Sequence, residues 1–255
     1  MVSPSQVSKL KIIEVLVLSV FFFGLNACSS GRVSTTKAEK SNEVTVTKKV
    51  KPIKDLDLAE RNYIRFNKIQ SLEKIRLLIG DDKQIRSSKK LSTLLYNTDG
   101  FLQKTITYNP DNSIQYTYKY KYDNSGRKTE TIRFNQNGNP DKRYTYEYNK
   151  YGNKTMSTRY NTNGEMEKYY IYNYDLEGNL TAELWYDRTN GLEYKIRYQY
   201  DDSGRKLSSK SYDENNDLVY SYKYDYDSKG NVIEEKQYDP DDNQVGIIQY
   251  VYKYY

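Results

Sequence analysis

The stretch Tyr116-Thr117-Tyr118-Lys119-Tyr120-Lys121-Tyr122-Asp123-Asn124-Ser125-Gly126 alternates tyrosine with polar residues and then stops on a turn signal. Alternation of period two belongs to a strand that is wet on one face. Asp-x-x-Gly is turn chemistry, because the carboxylate caps backbone N–H groups and glycine accepts positive φ. Gly126 has counterparts at Gly100, Gly152, Gly178, Gly204 and Gly230, a constant step of 26 residues. The chain is therefore a repeat protein.

Each unit holds a second turn. The first set lies at 97–100, 123–126, 149–152, 175–178, 201–204 and 227–230, and the second at 109–112, 135–138, 161–164, 187–190, 213–216 and 239–242. All twelve begin with Asp or Asn, and Pro110 and Pro240 occupy the second position that type I turns favour. The segments between turns are of strand length and too short for stable helices. Twelve turns join 13 strands in an all-β antiparallel meander of 26-residue, two-strand repeats. Left open, such a sheet would be about 60 Å wide, and sheets of that width curl. Curling puts the tyrosines on the concave side and Lys119, Lys121, Arg143, Glu147, Glu165, Glu167, Lys195, Arg197 and Lys223 on a wet outer side.

The motifs Tyr122-Asp123-Asn124-Ser125-Gly126-Arg127, Tyr174-Asp175-Leu176-Glu177-Gly178-Asn179, Tyr200-Asp201-Asp202-Ser203-Gly204-Arg205 and Tyr226-Asp227-Ser228-Lys229-Gly230-Asn231 resemble the YD repeats of the RHS family. The likeness covers about 96–255. It implies hairpins of a curled sheet or open shell, together with that family's association with cell-surface contact and carbohydrate binding. The unit here is a very regular two-strand repeat without the family's long arrays, so enclosure of a toxin polypeptide is not carried over.

Ahead of the repeats the composition changes three times. Residues 1–27 carry Lys9 and Lys11 before an apolar run from Val15 to Leu25, then Asn26-Ala27-Cys28. This is similar to a bacterial lipoprotein signal, and it implies diacylglyceryl attachment at Cys28 and, with Ser29 following, passage to an outer membrane. The alternatives are an ordinary cleaved signal or an uncleaved anchor, with Cys28 an incidental thiol. Residues 28–54 read as a basic flexible tether. Of 40 Lys and Arg and 34 Asp and Glu, the signal and tether hold nine and three, so the part from Asp55 onward is balanced. The alkaline balance belongs to the tether and suits anionic lipid, whereas a nucleic-acid-binding domain would carry a basic face of its own. Residues 55–95 read as an N-terminal cap, with Leu58, Ile64, Ile69, Leu72 and Ile75 spaced for a helix over about 57–77 ahead of a first strand. The competing β reading makes Ile79-Gly80-Asp81-Asp82-Lys83 a degenerate turn before a strand reaching Leu94 and Tyr96.

The chain has no histidine and one cysteine. Disulfides are thereby excluded from a single chain, and the usual general base and commonest zinc ligand are missing. We expect no catalysis and no cofactor. Carboxylates such as Asp201-Asp202 recur at turn positions, where capping explains them better than a glycan hydrolase or a metal site; Asp239, Asp241 and Asp242 form the best calcium candidate. The tyrosines read as a cross-strand ladder first and a sugar platform second. The pattern breaks at Trp185, which projects to the face opposite Tyr186, and at Asn190-Gly191. Trp185 and Tyr186, with Tyr170, Tyr172 and Tyr198, are the candidate contacts for a protein or glycan partner. The sequence-level expectation is a lipid-anchored envelope protein that presents a binding surface, with peptidoglycan or other carbohydrate as the alternative ligand.

Overall fold

The computed structural model describes residues 55–80, 82 and 84–255. The signal, Cys28 and the tether lie outside them. The described residues form one helix, α1 (Leu56–Phe66), and fourteen strands. The strands are β1 (Ile69–Ile79), β2 (Ile85–Tyr96), β3 (Leu102–Tyr108), β4 (Ile114–Tyr122), β5 (Lys128–Asn135), β6 (Pro140–Tyr148), β7 (Lys154–Tyr160) and β8 (Met166–Tyr174). They continue as β9 (Leu180–Asp187), β10 (Leu192–Tyr200), β11 (Lys206–Asp213), β12 (Leu218–Tyr226), β13 (Val232–Tyr238) and β14 (Gln244–Tyr254). Every neighbouring pair is antiparallel, and β1 pairs with both β2 and β14, so the meander closes into a barrel.

Two expectations are corrected here. The helix read over 57–77 ends at Phe66, where Asn67 caps it, and Ile69, Leu72 and Ile75 belong to β1. The 13 expected strands are β2 to β14; β1 is the fourteenth, and it turns a curled or open sheet into a closed one. Closure explains why the segment becomes a strand. As a helix it would leave the β2 and β14 edges unpaired, whereas as β1 it satisfies both. Ile69 and Leu72 then become fully buried.

The turns share one geometry. In each, the fourth residue donates its N–H to the first carbonyl and has positive φ, whether it is glycine, Asn112, Asn190, Asn216 or Asp242. That is a type I turn followed by a left-handed residue, the three-residue hairpin loop. Except at Asn109, the leading side-chain oxygen accepts from the N–H groups two and four residues on, as Asp123 does from Ser125 and Arg127 at 2.9 Å.

The tyrosines line the inside. Tyr122, Tyr148, Tyr174, Tyr200, Tyr226 and Tyr252 each donate to the backbone carbonyl twenty residues earlier, at 2.7–2.9 Å. Each carbonyl acceptor opens a short strand, beside a register shift where the ladder is interrupted. One turn higher, Tyr120, Tyr146, Tyr172, Tyr198, Tyr224 and Tyr250 bond the side chain fifteen residues back: Thr105, Thr131, Ser157, Glu183, Ser209 and Glu235. A tyrosine at each position thus clamps its own strand to the preceding one. The outer wall exposes Lys119, Lys121, Glu147, Arg197, Lys210 and Lys223. A lipid-facing barrel would carry an apolar band there, so this wall faces water.

Candidate functional site

The two ends of the barrel differ. At the end formed by the first set of turns, α1 lies across the mouth. Arg61 bonds the Gly126 carbonyl and sits over the Phe101 ring, the Asn153 side chain accepts from the Leu56 N–H, and Tyr63 reaches Lys229 and Asn231. Asp55 caps the helix by accepting from Leu58 N–H. Among the described residues nothing comparable covers the other end, formed by the second set of turns.

Beneath the plug the interior is charged. Short strands contribute Lys128, Lys154, Glu183, Lys206 and Glu235, β1 adds Lys74, and the plug adds Asp57 and Glu60. Burial pushes Lys74 and Lys206 down to about 8 and Glu60 up to about 7. Burial also pulls on Lys128, but Asp57 and Glu60 outweigh it and hold that ammonium above its ordinary value. Lys154 spans the Tyr146 and Tyr172 rings at 4.9 and 5.0 Å, and Lys206 the Tyr198 and Tyr224 rings at 4.5 and 4.9 Å. Four ammonium groups face four carboxylates, two of which arrive with α1. The helix is therefore matched in charge to the wall it covers. Tyr120, Tyr146 and Tyr224 keep some accessible surface although they point inward, so the space is incompletely filled. That agrees with strand number, since barrels of about eight strands fill themselves and those of about sixteen hold a channel.

Toward the open end the repeats diverge. One inward position reads Thr107, Arg133, Arg159, Trp185, Ser211, Gln237 in successive copies, and a second reads Gln115, Asp141, Glu167, Glu193, Val219, Val245. The sector from β5 to β10 therefore holds an ionic and aromatic cluster. Arg133 pairs with Asp141 and stacks on Tyr116 at 4.0 Å; Glu167 pairs with Lys142 at 2.5 Å and Arg159 at 3.1 Å; Lys168 pairs with Glu193. Glu167 was expected on the wet outer face. The register shift at Arg159/Tyr160 turns it inward, as the equivalent Val219 is turned into the core. Arg159 Nε and Glu167 Oε2 are buried against each other, whereas Arg133 Nε and Trp185 Nε1 are buried without a well-formed hydrogen bond, the indole lying beside the Glu183 carboxylate.

The candidate contacts separate. Trp185 is buried inside, edge-on to Tyr170 at 5.7 Å and 4.8 Å from Tyr194, in one cluster with Tyr172 and Tyr198. Tyr186 faces outward and stacks on Tyr169 at 4.9 Å. Asp239 is occupied in its turn, accepting from Asp241 and Asn243, and among the described residues no three His, Cys, Asp or Glu side chains gather to hold a metal. Sequence reasoning missed Arg133, Arg159 and the interior lysines, although the recurrence Lys128, Lys154, Lys206 was a readable signal.

No family model matches the chain, and no curated protein sequence matches it. Among solved structures it is similar to a porin-like protein from Bacteroides uniformis, with 13% identity, TM-score 0.47, and 73% of this chain and 97% of that one covered. It is also similar to the Photorhabdus luminescens Tc holotoxin pore, with 15% identity and TM-score 0.31, covering 69% of this chain and 11% of that one. A third is a Bacteroides fragilis protein of unknown function, with 20% identity and TM-score 0.30, covering 51% and 96% respectively. Nothing about activity follows from likenesses this distant.

Proposed function

We propose that this chain is a non-catalytic binding protein of the bacterial cell envelope, lipid-anchored through Cys28, whose ligand is a glycan met at the open rim between β5 and β10. The observation that carries the reading is the confinement of divergence to that sector. A ladder kept regular by structure has no reason to place two arginines and the only tryptophan at equivalent positions of three successive copies and small or neutral residues at the rest. Aromatic side chains beside unsatisfied donors suit a ligand rich in hydroxyl and ring oxygens. The finer likeness to YD repeats, with its carbohydrate association, points the same way. A protein partner on the outer sheet is the second reading, favoured by the outward-facing, half-buried Tyr169–Tyr186 stack.

The test is titration with peptidoglycan fragments and neutral and acidic oligosaccharides, following Trp185 emission and heat of binding. A glycan ligand changes Trp185 emission, and Arg159→Gln or Trp185→Phe weakens binding at least tenfold while Tyr186→Ala leaves it unchanged. Binding lost in Tyr186→Ala but kept in Arg159→Gln and Trp185→Phe would move the site to the outer sheet.

A further inference from the structure

Both ends of the barrel expose large apolar side chains, Ile85, Ile114 and Met166 among them at the open end, but the two most exposed lie at the plugged end. Phe66, at the end of α1, is 85% exposed, and Leu176, at the tip of the turn after β8, is 84% exposed. Tyr151, on the neighbouring turn, and Leu58, on the outward side of α1, are 44% and 40% exposed. Exposed Arg65, Lys68, Lys150, Arg205 and Lys229 surround them, against exposed Asp99, Glu177 and Asp202. The opposite end has the reverse charge. Its turns expose Asp111, Glu165, Glu214, Asp217, Asp241 and Asp242, against Arg188.

The chain enters the fold at the first of these ends. Asp55, which caps α1 beside Gly152, is preceded by 54 residues that include the apolar run from Val15 to Leu25 and the basic tether. We infer that the plugged end is a membrane-contact surface, with Phe66, Leu176, Tyr151 and Leu58 seated in the head-group region of an anionic bilayer. Three observations converge: apolar tips rimmed by cations, continuity with the segment that leads to lipid, and an acidic far end that an anionic surface repels. The contact goes beyond a tether. It fixes the barrel's axis across the membrane plane and turns the open rim away from the lipid. The inference rests on anchoring through the N-terminal segment and is independent of the ligand.

The mature lipidated chain is reconstituted in phosphatidylethanolamine and phosphatidylglycerol vesicles, with or without dibrominated acyl chains. Three variants, Phe66→Trp, Leu176→Trp and Ile114→Trp, are compared after subtracting the shared Trp185 signal. All three positions are exposed, so circular dichroism should be unchanged. Phe66→Trp and Leu176→Trp emission should shift to the blue and be quenched at least twofold by brominated lipid, with Ile114→Trp, at the open end, unaffected. A chain that floats with the vesicles but shows no quenching at Phe66→Trp and Leu176→Trp overturns the contact surface and leaves anchoring intact. A chain that does not float overturns both.

Discussion

At the scale of single residues, the repeat motif is fully used by the fold. In Tyr-Asp-x-x-Gly the tyrosine satisfies a carbonyl left over at a register shift, the Asp caps two N–H groups, and the glycine takes positive φ. Tyr174→Phe should therefore cost about 1 to 3 kcal/mol in denaturant unfolding, because it strips the Lys154 carbonyl of its donor. The glycines separate two effects. At Gly138, with φ +79 and nothing within 4 Å, alanine carries only the left-handed penalty of about 1 to 2 kcal/mol. At Gly100 an added Cβ would also meet the Arg61 carbonyl at 2.2 Å, so Gly100→Ala should lose about 1 to 3 kcal/mol more and speed amide exchange in α1. What the sequence hid at this scale was the facing of Lys128. Strict alternation from Phe134 puts residue 128 outside, but the register shift beside Tyr122 inserts an extra residue and rotates it inward. The tyrosine face was legible because the extra residue at that shift sits on β5 and leaves the alternation of Tyr118, Tyr120 and Tyr122 on β4 unbroken.

At the scale of elements, α1 is a packed plug whose buried charges make its hold depend on pH. Glu60 has a folded pKa raised to about 7 by burial, above its ordinary 4.5. A carboxyl raised in this way binds a proton in the folded state that the unfolded state has released, so its contribution to stability falls as pH rises from 4.5 to about 7. Unfolding measured across that window should show the decline, and Glu60→Gln should remove about 1 to 3 kcal/mol of it, the range allowing for partial exposure. Lys74 and Lys206 act in the opposite sense, since groups lowered to about 8 add stability as pH rises from there toward 10.5. The sequence announced α1 through its spacing, but its helical period ran on by chance into Ile69, Leu72 and Ile75. Pairing on two sides overrode local propensity there, a non-local effect that no window of sequence contains.

At the scale of the molecule, closure decides how a local lesion spreads. Leu72 is fully buried on β1 at the seam, and Leu72→Ala should cost about 2 to 5 kcal/mol. In an open array such a loss stays near its own repeat. In this barrel β1 joins both ends of the meander, so we expect Trp185 emission, reporting from β9, to shift its unfolding midpoint together with far-ultraviolet circular dichroism. Two separated transitions would mean that the seam is not coupled to the far wall. The turns, the strand period and the inward tyrosines were legible in the sequence from 96 onward. Closure was not, because it depends on a single strand outside the periodic region.

The plug also constrains how such a gene can lengthen. A linear solenoid grows by duplicating a unit, and each intermediate remains a working protein. Here an additional 26-residue copy would enter as two strands and widen the circumference, while α1 touches the rim at Gly126, Asn153 and Lys229, points spread around most of it. A wider ring would pull those contacts apart and leave the interior ammonium groups without Asp57 and Glu60. Copy number and cap length are thereby tied, so lineages that gain or lose a two-strand copy should carry a compensating change in the segment before the first strand.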